Sequence, residues 1–153
     1  MANVAMVVTN PCSPDPRVER HARWLFELGH DVKIFAWDRF GCYPKLEIKE
    51  GYKIIRKGPH ITKSSSNYQI WKRKNKFLKK LNLKCDLLIL NDSDTYGIRF
   101  SGKTVLDMHD LSHGWPLMSG NSIINKIASS IMLWQCKKLM NNSDLILSSS
   151  PGI

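Results

Sequence analysis

The chain has 153 residues, 42% of them hydrophobic and 24% charged, with a formal net charge of +10. That is the length of one ordinary domain, which buries about 70% of the surface its unfolded form exposes, and the composition excludes a disordered chain. No apolar run approaches the roughly 20 residues that span a bilayer, and the opening MANVAMVV lacks the basic region and the apolar length of a signal peptide.

Residues 3–9 (NVAMVVT) are a short apolar, β-rich run stopped by Asn10-Pro11, and they predict a buried strand. The prolines of Ser13-Pro14-Asp15-Pro16 suit a loop that opens a helix. Val18, Ala22, Leu25 and Phe26 recur at helical spacing over residues 17–28, and Gly29 stops that helix. Residues 31–37 (DVKIFAW) alternate into a second strand, completing a βαβ unit with a right-handed crossover. Residues 45–57 read as a hairpin or bent strand pair about Gly51, and residues 58–67 as a polar, serine-rich mobile loop. Residues 68–83 form a helix with Ile70, Trp71, Phe77, Leu78 and Leu81 on one face. Further strands are expected at 86–90 (DLLIL), 103–108 (KTVLDM) and 144–147 (DLIL), with a helix over 123–139. Strands that are apolar throughout and alternate with helices indicate an α/β fold: Rossmann-like and doubly wound, with a mainly parallel sheet and helices on both faces.

The positive charge calls for an anionic partner: nucleic acid, a phosphorylated substrate or an acidic membrane face. The cysteines Cys12, Cys42, Cys85 and Cys136 form no CxxC pair, so they read as reduced cytoplasmic thiols with no disulfide framework or zinc site. No GxGxxG follows any strand, which leaves a nicotinamide or flavin cofactor without support.

Four stretches, in order, carry a family resemblance. They are the first strand with NPCSPDPRVERHARWLFELGHDVKIFAW, then DLLILNDSDTYG, KTVLDMHDL and NNSDLILSSSPGI. Together they resemble the acceptor-side domain of GT-B glycosyltransferases of the group 1, family 4-like class. The resemblance implies that residues 1–153 are a single N-terminal Rossmann-like domain, with the C-terminal donor-binding domain absent from this chain. It implies retaining transfer from a nucleotide-sugar to a glycosyl acceptor, with no cofactor and no metal. The chain alone is then expected to be inactive. One departure stands out. Many members carry a Gly-Gly loop after the first strand, where this chain has Pro11-Cys12-Ser13-Pro14-Asp15-Pro16, a Pro/Asp version that marks a recognisable subgroup.

Ligands of an open parallel sheet sit beyond the carboxyl ends of its strands, so the loops at 10–17, 91–96 and 109–115 converge on one rim. His109 is the candidate catalytic residue, because a histidine at this place faces the interdomain cleft in the resembling family. Its alternative is a histidine satisfied by Asp107 or Asp110. Asp15, Arg17, Asp92, Asp94 and Asp110 are candidate substrate-binding residues. Asp15 could equally cap the helix, and Asp92 and Asp94 could be turn and cap residues. His21 and His30 are assigned no chemistry.

The segment from Trp71 to Lys84 has no acidic residue. Trp71, Lys72, Arg73, Lys74 and Lys76 are candidate contacts to an anionic membrane, against the alternative of a core-packing face with a solvated basic back. A cytoplasmic enzyme half, peripheral on the inner membrane face and acting on a glycolipid or polysaccharide acceptor, is the leading expectation. The competing one is a basic nucleic-acid- or membrane-binding α/β module. No RNA- or DNA-binding motif supports nucleic acid.

Overall fold

Alternate residues of the first strand, β1 (Asn3–Val8), face opposite sides of a sheet, and both sides are covered, so every residue after Asn3 is apolar. Val4, Met6 and Val8 pack under helix α1 (Pro16–Glu27), beside Val18 and Ala22. Ala5 and Val7 point the other way, into a layer with Phe77 and Leu78 of α2 (Asn67–Lys79) and Cys136 and Leu139 of α4 (Ile123–Asn142). The computed structural model describes residues 1–109 and 112–148.

The other strands are β2 (Asp31–Trp37), β3 (Leu46–Lys49), β4 (Tyr52–Lys57), β5 (Leu87–Asn91), β6 (Lys103–Met108) and β7 (Leu145–Ser148). They form one sheet in the order β3-β4-β2-β1-β5-β6-β7. All neighbours are parallel except β3, which pairs antiparallel with β4. The expected α/β doubly wound architecture is the one found, and 45–57 is a hairpin added to its edge. Its turn is Glu50-Gly51, both with positive φ (49° and 93°), and a Cβ on Gly51 would collide with the Phe26 ring.

Two aspartates set the register of the parallel ladder. Asp86, just before β5, accepts from the Asn3 amide at 2.7 Å, and Asp144, just before β7, accepts from the Thr104 amide at 2.9 Å. Each satisfies an amide at the start of a neighbouring strand, the first of β1 and the second of β6. That is the physical content of the paired DLLIL and DLIL runs.

Several elements differ from expectation. Helix α2 begins under a capping box, in which Ser66 accepts from the Gln69 amide and Gln69 accepts from the Ser66 amide, and it ends before Leu81. Trp71 does not share the core face of α2: it is 49% exposed and stacks on Tyr68, while Phe77 and Leu78 fill the core. Phe77 stacks on Trp37, whose indole donates to the Pro59 carbonyl. Strand β7 is exposed along its length, unlike the buried strand that its composition suggests. A 3₁₀ turn over Ser112–Gly114 and a one-turn helix α3 (Trp115–Met118), absent from the sequence reading, lead from β6 towards α4.

Truncating Phe77 to Ala removes a fully buried ring and is expected to cost about 3–5 kcal/mol, whereas Trp71→Ala should cost under about 1 kcal/mol. Urea unfolding checks both; equal losses would place Trp71 back in the core.

Candidate functional site

The chain runs β1 to β2 to β4 in one direction and returns to place β5, β6 and β7 on the other side of β1. The connections leaving the neighbouring strands β1 and β5 therefore run in opposite directions along the sheet, and a crevice opens at the carboxyl ends of these two strands. The loop after β1 and the turn after β5 meet there. Thr9 Oγ1 donates to Asp94 Oδ2 at 2.9 Å, and the Asn91 side chain donates to the Val7 carbonyl at 3.0 Å.

The glycine-free loop after β1 is held by side chains. Asn10 accepts from the Cys12 amide at 2.7 Å and donates to Asp15 Oδ2 at 2.8 Å. Cys12 takes φ of 48°, the left-handed conformation for which glycine is the usual residue, at a cost of about 1–2 kcal/mol. The buried Arg56 guanidinium from β4 offsets this by donating to the Pro11, Cys12 and Pro44 carbonyls at 2.7, 3.1 and 3.2 Å. Arg56 also pairs with Glu47 at 2.7 Å. Burial, then the Asp15 and Glu19 carboxylates, push the Cys12 thiol up to about 12, so it is no nucleophile at neutral pH.

Asp15 caps α1: its carboxylate accepts from the Val18 amide at 3.3 Å, and its own amide donates to Glu19 Oε1 at 2.9 Å. Glu19 in turn accepts from Tyr52 and is paired with Lys49. The amides of Cys12 and Asp15 are thus committed to side chains of the loop and its helix.

Across the crevice, β6 ends in a second array. His109 donates its amide to Asp92 Oδ1 at 2.7 Å, and its Nδ1 lies 3.8 Å from Asp92 Oδ2. Its Nε2 is 3.0 Å from Asp107 Oδ2, within ion-pair range although not aligned for a linear hydrogen bond. The same carboxylate oxygen is 3.0 Å from His21 Nδ1 of α1. His21, which the sequence reading left without a role, therefore belongs to the site. Periodicity placed it on a helix surface and could not show that this surface faces β6.

Burial opposes a charge on His109, but the contact with Asp107 and the Asp92 charge outweigh it and raise the imidazole above its ordinary value. Burial likewise works against ionised Asp107; His109, His21 and Arg17 outweigh it and hold the carboxyl below the usual range. The His109 contribution to stability is thus fully present below the unfolded value near 6.5 and is lost as pH rises through the folded value. Arg17, at the start of α1, has a buried Nη1 with no hydrogen-bond partner among the described residues. Asp92 itself has φ of 67° and ψ of 161°, a region that costs a non-glycine residue about 1–3 kcal/mol and persists only where its surroundings enforce it. The enforcing bonds are the Asp92 amide to the Asp107 carbonyl at 2.9 Å, the Thr95 hydroxyl to the Asp92 carbonyl at 2.7 Å, and the His109 amide to the carboxylate.

The structure therefore brings Asp15, Arg17, Asp92, Asp94 and His109 to one rim. Asp110 lies outside the described residues. Lys74, expected at a membrane, instead turns inward to pair with Asp94 at 3.0 Å with 17% of its side chain exposed, while Trp71, Lys72, Arg73 and Lys76 face outward. Among the described residues, no group of three or more His, Cys, Asp or Glu side chains is placed to hold a metal.

Arg56 was missed because a lone arginine in a strand of pattern YKIIRK gives no sign of what it reaches. Arg56→Leu leaves three loop carbonyls without their donor and is expected to cost about 3 kcal/mol or more, while Glu47→Gln, on a half-exposed partner, should cost under about 1 kcal/mol. Urea unfolding of both variants checks this; a neutral Arg56→Leu would mean that the loop does not depend on the guanidinium.

No protein-family model matches the sequence, and no curated protein matches it. Among solved structures, sucrose-phosphate synthase from Thermosynechococcus elongatus overlays 99% of this chain with a TM-score of 0.69 at 15% identity. The overlay takes in 43% of that chain, so the present chain spans less than half of the synthase. A second, shorter structure of the synthase overlays 98% of this chain and 77% of its own, with a TM-score of 0.66 at 15% identity. An alpha-glucosyltransferase in complex with UDP and DNA overlays more loosely, with a TM-score of 0.47 at 14% identity, over 99% of this chain and 38% of that one. The domain found is thus the α/β domain that the resemblance to GT-B glycosyltransferases implies, and its fold is shared with part of a sucrose-phosphate synthase.

Proposed function

We propose that this chain is the N-terminal, acceptor-side domain of a nucleotide-sugar-dependent glycosyltransferase, working with a second Rossmann-like domain that grips the donor. Transfer retains the anomeric configuration, and the acceptor is a glycolipid or growing polysaccharide at a membrane surface. The observation that carries the reading is His109, an imidazole held between two carboxylates at the strand-reversal crevice and biased towards its protonated form.

In this reading the imidazolium donates a hydrogen bond to a donor-sugar hydroxyl or to the departing phosphate, whose negative charge grows as the bond to the anomeric carbon breaks. Asp107, backed by His21, fixes the ring and keeps its proton. Arg17 offers its unpartnered Nη1 to a phosphate or carboxylate of the ligand. Asp94, held by Thr9 and Lys74, orients acceptor hydroxyls, and Asp92 and Asp110 add to it. Asp15 acts by fixing the loop through its cap. Lys72, Arg73, Lys76 and Trp71 give α2 an exposed basic face that meets anionic headgroups.

The test joins the chain to its donor-binding partner domain and titrates a panel of nucleotide-sugars by calorimetry. One donor should bind the two-domain protein and bind the 153-residue chain weakly or not at all. His109→Ala should lower transfer by about 100- to 1,000-fold with unfolding unchanged in midpoint by more than the lost ion pair explains. Near-normal turnover would remove His109 from catalysis. Absence of any nucleotide-sugar binding, with RNA bound by the chain, would favour a nucleic-acid module.

A further inference from the structure

Helix α4 is apolar on two sides. Ala128, Met132, Cys136, Leu139 and Met140 line its inner side, at least half-buried, with Cys136 and Leu139 in the core. Ile123, Ile127, Ile131 and Trp134, at steps of four, four and three, form a second stripe that points outward and is 77%, 56%, 51% and 51% exposed. Beside its first turn, α3 adds Trp115, Leu117 and Met118, all exposed. Scattered apolar residues on a surface are ordinary, but a continuous stripe with two half-exposed tryptophans marks a contact face.

Charge decides which contact. Helices α2 and α4 cover the same side of the sheet. The sequence has no Asp or Glu between Glu50 and Asp86, which contains α2, and none between Asp110 and Asp144, which contains α3 and α4. Lys126, Lys137 and Lys138 lie exposed on α4, and Lys72, Arg73 and Lys76 on α2. A second copy seated through a two-fold axis would bring two such acid-free, lysine-bearing faces together, which like-charge repulsion opposes. An anionic bilayer satisfies both features at once: headgroups take the lysines, tryptophans sit at the interface, and the isoleucines enter the acyl boundary.

We propose that the α3–α4 face is the seat of an anionic membrane, with the isoleucine stripe inserted and α2 adding electrostatic contact alongside. Because α3 follows the loop after β6, docking sets the His109 rim next to the bilayer. That consequence rests on the glycosyl-transfer reading, whereas the docking itself does not.

Co-sedimentation of the chain with phosphatidylcholine vesicles, with and without one-quarter phosphatidylglycerol, tests it. Binding should require the anionic lipid and weaken in high salt. Ile127→Glu with Ile131→Glu should lower affinity by about tenfold or more, and Ile127→Ser with Ile131→Ser should lower it less. Each charge removed at Lys72, Arg73 or Lys76 should lower it by about fivefold. Both isoleucines are exposed, so circular dichroism of the variants should match the parent. Unchanged binding in the glutamate variant, binding without anionic lipid, or dimerisation that the same variants abolish in the absence of vesicles would each overturn the proposal. The readout needs no sugar donor: vesicle binding by the chain, with no nucleotide-sugar bound by the two-domain protein, leaves the docking face standing and removes the transferase reading, and the reverse result does the opposite.

Discussion

A parallel sheet whose strand order reverses beside its first strand must leave a gap, because the connections on the two sides of that gap run away from each other. Here the crevice opens at the carboxyl ends of the paired strands β1 and β5, and the Asp92, Asp94 and His109 cluster borders it. The loop after β1, the turn after β5 and the end of β6 arrive from different parts of the sequence and are tied across the gap by short polar contacts. Thr9 to Asp94 and Asn91 to Val7 are the ties across it, and Asp92 to His109 joins the ends of β5 and β6 beside it. The Asp92 contacts let that residue keep a conformation that the backbone alone disfavours, as Asn10 and Arg56 do for Cys12.

Two buried or half-buried ionic groups take opposite parts in this. Arg56 gives up hydration and receives three carbonyls and a carboxylate in return, so it acts as a rivet for a loop that has no glycine. Asp107 gives up hydration beside two histidines, and the balance lowers its own pKa and raises that of His109, which favours the charged form of each. Arg56 is a structural group; the His109–Asp107 pair sits at the crevice with a guanidinium nitrogen of Arg17 that has no hydrogen-bond partner among the described residues.

The strands were legible because a strand buried on both faces is short and largely apolar, and VAMVV and LLIL admit little else, while VL in KTVLDM gave a weaker version of the same signal. Helix α1 was legible from its proline entry and glycine exit. What the sequence hid was tertiary direction. Trp71 and Lys74 lie on a helix whose periodicity was read correctly as amphipathic, yet the face that meets the sheet turns Trp71 outward and Lys74 towards Asp94. Helix α4 gave no single apolar face because it has two. β7 is apolar but exposed, a state that composition cannot tell from burial. His109 stood out at a strand end, while His21 did not, since only the packing of α1 against the sheet brings it to Asp107.

The central claim is that Asp107 and Asp92 hold a proton on His109 at the crevice. Following the His109 ring protons by NMR through a pH titration tests it directly, in the parent chain and in Asp107→Asn. A midpoint above the ordinary imidazole value near 6.5, falling when Asp107 is neutralised, is the predicted result. A midpoint at or below that value in the parent, or one indifferent to Asp107→Asn, would mean that burial wins and that the ring is neutral, and the account of the site would fail.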